Sequence, residues 1–139
     1  MYDYIISQQP DFSSFFYSSL CYFTACYFPN LRNFKNFLYP SFPYVYKNFE
    51  LLGECAKILD QDVGWDGKII FTINVNENKY SKNFYKKYKK CNSLLFMGFQ
   101  SQEGIQKLYE TADALIFPSL IETWGLPLSE AKKFNLPII

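Results

Sequence analysis

Ile116-Phe117-Pro118-Ser119-Leu120-Ile121-Glu122-Thr123-Trp124-Gly125-Leu126-Pro127-Leu128-Ser129-Glu130-Ala131 is an apolar strand end, a proline turn, a lone acid and a Gly-x-Pro helix start, with a second acid eight residues after the first. A strand that passes through a short polar loop into a helix is half of a βαβ unit, and such units build a parallel sheet. Pro127 suits the first helical turn, where a missing amide costs nothing. Gly125 lets a ligand approach bare backbone. The stretch therefore predicts a polar, anion-ready pocket at the end of a sheet.

The same rhythm runs upstream. Phe37-Leu38-Tyr39 is a short apolar strand stopped by Pro40. Val45, Phe49, Leu52, Ala56 and Leu59 recur at helical spacing and predict one buried helix face. Gly64 to Gly67 supplies turn residues, and Lys68 to Ile73 is a β-branched strand ending at Asn74. Ser81 to Cys91 predicts a helix with Phe84 and Tyr88 inward, and Leu94 to Met97 a third strand. Ser101 can cap a helix carrying Ile105, Leu108 and Ala112. Ala114 to Phe117 makes a fourth strand, and Leu136 to Ile139 begins a fifth. Short apolar strands alternating with helices predict an α/β fold, a doubly wound parallel sheet covered on both faces.

Ligands bind such sheets beyond the carboxyl ends of the strands, where strand order reverses. With strands one and four as neighbours, Ser41, Lys47, Ser119, Glu122 and Glu130 are expected to face one crevice. Lys47 is expected in the first turn of its helix, where a cation opposes the macrodipole unless an anion binds there. Each residue also has a plain structural role to weigh against function. Lys47 can extend into solvent, Glu122 can be a hydrated loop acid, and Glu130 can be a favourable charge near a helix start. Carboxylates repel phosphate but accept hydrogen bonds from hydroxyls. A ligand with hydroxyls at both ends and phosphate between them, a sugar nucleotide, fits the mixed set.

Bulk properties narrow the alternatives. The 139 residues allow one domain with a real core, and a formal charge of +1 gives no global field for nucleic acid. Histidine is absent, which excludes a histidine base or Cys/His zinc site within this chain. Cys21, Cys26, Cys55 and Cys91 lack paired metal spacing and read as reduced thiols of a cytoplasmic protein. Phe12 to Phe28 is an uncharged run of 17 residues, at the short limit of a membrane span and diluted by serines and a threonine. Lys79, Lys82, Lys86, Lys87, Lys89 and Lys90 interleave with aromatics; an amphipathic helix with lysines in water accounts for them, so no nucleic-acid partner is expected. Trp124 is placed as packing for the loop, and Trp65 carries no functional argument.

The quoted stretch resembles the E-x7-E donor-site signature of the group 1 glycosyltransferases. Tyr39-Pro40-Ser41-Phe42-Pro43-Tyr44-Val45-Tyr46-Lys47-Asn48-Phe49-Glu50 resembles the same family's first strand and phosphate-contacting helix start. The likeness spans residues 37–139 and implies the Rossmann-like, donor-binding C-terminal half of a GT-B enzyme, left incomplete here, with residues 1–36 an unassigned aromatic-rich segment. It further implies a nucleoside-diphosphate sugar as donor substrate, no metal or other cofactor, and transfer with retained anomeric configuration. Residue by residue, Lys47 and Glu122 would be the catalytic pair. Lys47 would contact the diphosphate, Glu122 the hydroxyls of the transferred sugar and Glu130 the ribose, while Ser119, Thr123, Gly125 and Leu126 complete the donor-binding set.

The likeness has departures. Where the family places an arginine ahead of the lysine, this chain has Tyr44, which brings no charge. No counterpart of the family's N-terminal acceptor domain is found, so this chain alone is expected to bind donor and to transfer inefficiently. A separately encoded N-terminal domain is one expected partner, and a saccharide or lipid-linked acceptor, not specified by sequence, is another. A non-enzymatic nucleotide-binding or assembly module paired with a separate acceptor domain is the alternative; a third is an unrelated doubly wound protein. Polysaccharide biosynthesis is the expected setting, with a cytoplasmic location and a peripheral place on the inner face of the membrane left open.

Overall fold

Period-two burial along the strands decides how the layers form. Tyr39, Ile69 and Phe71 point to one side of the sheet and Leu38, Ile70 and Leu115 to the other. Both sides are apolar, so both must be covered. The computed structural model describes residues 34–62, 64–122 and 124–139, which form one compact unit from Phe34 to Ile139. The Phe12–Phe28 run, Cys21, Cys26 and Thr123 lie outside the described residues.

The elements are β1 (Asn36–Tyr39), a 3-10 turn (Val45–Lys47), α1 (Phe49–Leu59), β2 (Lys68–Phe71), α2 (Lys79–Tyr88), β3 (Leu94–Phe96), α3 (Gln102–Thr111), β4 (Ala114–Leu115) and α4 (Leu126–Lys133). The strands are parallel in the order β3-β2-β1-β4. The chain is therefore an α/β, doubly wound, Rossmann-like unit, and β1 and β4 are neighbours where the order reverses.

An aromatic cluster fills the α1/α2 side, with Tyr39, Phe49, Phe71, Phe84 and Tyr88 all buried. Most of its ring pairs are tilted or edge-on at 4.8–6.4 Å, as ring quadrupoles prefer. A side chain at Gly53 would collide with the Tyr88 ring, so glycine there lets α2 close on α1. The other side is smaller: Leu38, Ile70 and Leu115 of the sheet pack with Tyr109 of α3, Ala131 of α4 and Leu136.

Several boundaries differ from the periodicity. Val45 is 65% exposed and does not share the helix face of Phe49. Asn48, in the left-handed region at φ 56°, breaks the chain between the 3-10 turn and α1, so Lys47 ends the turn rather than opening the helix. The cost expected from a cation in the first helical turn therefore does not arise. α2 starts at Lys79, two residues early, because Asn78 caps it: its side chain accepts from the Ser81 amide while Ser81 Oγ accepts from the Asn78 amide. Ser101 caps α3 as expected, accepting from the Gly104 amide. The fifth strand is reduced to a parallel bridge between Leu115 and Ile138.

Candidate functional site

Two loops meet at the carboxyl ends of β1 and β4, and Tyr39 holds them together. Its ring is buried in the core while its hydroxyl reaches the rim, where it donates to the Lys47 carbonyl at 2.7 Å. Its single proton is thereby used, so Ser119 Oγ is the donor across the 3.3 Å contact with the same oxygen. Burial raises the Tyr39 phenol above its ordinary range, the Ser119 and Ser41 hydroxyls partly offset this, and nearby Glu122 adds to the rise. Ser119 and Ser41 thus address the Tyr39 hydroxyl, with the Glu122 charge nearby.

Further contacts stitch the loops. The Asn48 side-chain amide donates to the Pro118 carbonyl at 3.3 Å, and the Leu120 amide to the Tyr46 carbonyl at 2.9 Å. Across this seam Lys47 Nζ donates to Glu122 Oε2 at 2.5 Å, with the two side chains 13% and 24% exposed. Lys47 Nζ also lies 5.6 Å from the centre of the Tyr46 ring. Tyr46 stacks on Tyr44 at 5.4 Å and 9°. Tyr44 is therefore a half-exposed ring in a stack, with no formal charge.

Beyond Glu122 the chain turns at Gly125, whose φ of 63° suits glycine. Its carbonyl accepts from the Leu128 and Ser129 amides and starts α4, with Pro127 in the first turn. Leu126 is exposed beside it. Glu130, one turn on, has a different partner: Tyr109 of α3 donates to its Oε2 at 2.8 Å. Tyr109 is 2% exposed and stacks on Phe134. Burial, then the bond to Glu130 and its charge, push the Tyr109 phenol far above the ordinary tyrosine range.

Lys47, Ser119, Glu122 and Ser41 are thus brought together around Tyr39, whereas the hydrogen bond of Glu130 belongs to the α3 side. Tyr39, Asn48 and Tyr109 are site-organising residues that spacing did not reveal. Tyr39 reads as a strand apolar until its hydroxyl is asked for a partner. Asn48 carries a usable signal, since asparagine tolerates the left-handed region. Tyr109, four residues after Ile105, belonged on the inward face of α3.

The geometry gives a partly buried cation neutralised by a carboxylate. An incoming anion can displace that carboxylate, which is then available to hydroxyl groups. Charge-assisted contacts of this kind are about twice as strong as neutral ones.

Three comparisons bear on the chain. The family described as glycosyl transferases group 1 matches residues 35–139. An uncharacterized glycosyltransferase of Methanocaldococcus jannaschii is 24% identical over 89 residues, covering 64% of this chain and 22% of that protein. The crystal structure of TarM is similar in fold, with a TM-score of 0.54 and 21% identity, over 76% of this chain and 21% of that one. The chain spans about a fifth of the length of each.

Proposed function

Because the chain belongs to the group 1 glycosyltransferases, we propose that residues 34–139 bind a nucleoside-diphosphate sugar for retaining glycosyl transfer. Lys47 holds the diphosphate. Glu122, released from Lys47 as the anion binds, accepts hydrogen bonds from the transferred sugar. Glu130, oriented by Tyr109, accepts from the ribose hydroxyls. Ser119, Thr123 and the backbone at Gly125 and Leu126 line the donor between them.

In the reaction the bond from the anomeric carbon to the phosphate oxygen breaks. The acceptor oxygen bonds to that carbon on the same face, and its proton passes to the departing phosphate. Negative charge grows on the diphosphate, and Lys47 is placed to stabilise it. Tyr44 adds no second charge there, so diphosphate binding should be weaker than a two-cation clamp gives. The described residues form a single sheet; the family's chemistry takes place between two such domains, so donor binding is what this unit is assigned.

One observation carries the reading: the Lys47–Glu122 pair joins the β1 and β4 loops at the point where strand order reverses. Calorimetric titration of the purified chain with a panel of nucleoside diphosphates and their hexose conjugates tests it. Saturable binding of at least one conjugate is expected. Absence of binding by every member would overturn the assignment.

A further inference from the structure

The formal charge of +1 conceals a strong separation of charge. Residues 79–90 carry six lysines and no acid, so the rest of the chain holds 8 basic and 13 acidic groups and nets −5. Lys79, Lys82, Lys86 and Lys89 follow at spacings of three and four and form one stripe along α2, continued by Lys90. All are exposed. Lys87 is engaged by Glu54 at 3.1 Å, but the other five have no carboxylate partner among the described residues. Five uncompensated charges on one flank repel one another and favour a polyanionic counterpart.

A second feature adjoins the stripe. The Asn78 side chain, at the start of α2, donates to the Pro43 carbonyl at 2.9 Å. Pro43 lies in the loop where Phe42, Tyr44, Val45 and Tyr46 are all 43% or more exposed, Val45 reaching 65%. An apolar and aromatic loop is thus tied to the head of a basic helix. Apolar contact at the headgroup boundary combined with attraction to anionic lipid is how peripheral proteins hold a bilayer. Single-stranded nucleic acid, which needs free rings for stacking, fits less well: Phe84 and Tyr88 are buried, Tyr85 packs edge-on against Phe96, the Tyr80 hydroxyl is bound to Glu50, and Tyr44 and Tyr46 stack on each other.

We propose that the α2 lysine stripe and the Phe42–Tyr46 loop form a docking surface for a bilayer containing anionic lipid. Docked this way, the loop that precedes Lys47 lies at the membrane, and the rim of the sheet opens beside it. The proposal is independent of donor binding, since vesicles are bound with or without a nucleotide.

The test is sedimentation of the full chain with vesicles, either phosphatidylcholine alone or with about a third phosphatidylglycerol. Binding to the anionic vesicles only, with release at high salt, is expected. Lys82→Gln/Lys86→Gln/Lys89→Gln should weaken partitioning about a hundredfold, the equivalent of ~1 kcal/mol per lysine near such a surface. Phe42→Ser/Val45→Ser should weaken it as well, with thermal melting unchanged for the lysine variant and the donor titration unaffected. Equal binding to neutral vesicles, undiminished binding of the lysine variant, or preference for single-stranded nucleic acid over vesicles would each overturn it. A chain that docks but binds no donor would refute the donor assignment alone.

Discussion

Glu122 and Glu130 are eight residues apart and are held by opposite chemistry. Glu122 sits in a loop and meets a cation, Lys47, at 2.5 Å. Glu130 sits on a helix and accepts from a neutral phenol, Tyr109, buried on the other side of the sheet. An ion pair can be exchanged for another ion pair, so the first carboxylate can change partners when an anion arrives. A buried neutral donor has no such competitor and fixes the second carboxylate in one orientation. The difference matches the proposed roles, a mobile acid for the transferred sugar and a fixed acid for the ribose of the nucleotide.

The largest expected effect lies on the Glu122 side. Lys47→Ala removes the only formal cation placed at the seam among the described residues and should reduce nucleoside-diphosphate affinity about a hundredfold, in the range of a lost charge-assisted hydrogen bond. Calorimetry measures it directly. Gly125, the turn between the two acids, comes next. Gly125→Ala forces a side chain into the left-handed region, and its Cβ would meet Leu128 Cδ1 at 3.1 Å. A loss of about 1–2 kcal/mol in thermal or denaturant unfolding is expected.

On the Glu130 side the change should be smaller. Tyr109→Phe keeps the packing on Phe134 and deletes one hydrogen bond, worth about 1 kcal/mol. Affinity for a ribonucleotide should fall several-fold, while that for its 2′,3′-dideoxy analogue should stay constant. An equal loss for both analogues would show that Tyr109 does not act through the ribose contact.

Glu54 supplies a third case, because it has both kinds of partner. Partial burial pushes its carboxyl up, but hydrogen bonds from Tyr88, Lys57 and Lys87 outweigh this and hold it at about 2, from an ordinary 4.5. A depressed carboxyl contributes stability above its unfolded value and loses it as pH falls through the folded one. Denaturation midpoints should therefore drop from pH 4.5 towards 2, modestly, since the group is nearly half exposed. Glu54→Gln should flatten that part of the profile.

Much of this arrangement was legible in the chain. The apolar runs ending at Pro40, Asn74, Gly98 and Pro118 marked the sheet, and the βα rhythm gave the β1–β4 neighbourhood. What was not legible came from contacts between distant residues. Nothing local to Asn48 says that its side chain reaches Pro118, yet that left-handed residue moves Lys47 out of the helix. The pattern expects both glutamates to face one crevice because each follows β4; nothing in it says that Glu130 is held by Tyr109 of α3. Tyr39 counted as core by its ring, and only the folded rim shows that its hydroxyl organises two loops.

The central claim is that Glu122 serves the sugar and Lys47 the diphosphate. Glu122→Gln measured against one nucleoside diphosphate and its sugar conjugate tests it most directly. A loss of tenfold or more is expected for the conjugate, at the scale of a charge-assisted hydrogen bond, with affinity for the bare diphosphate unchanged or raised as Lys47 is released. An equal loss for both ligands, or no change for either, would contradict it.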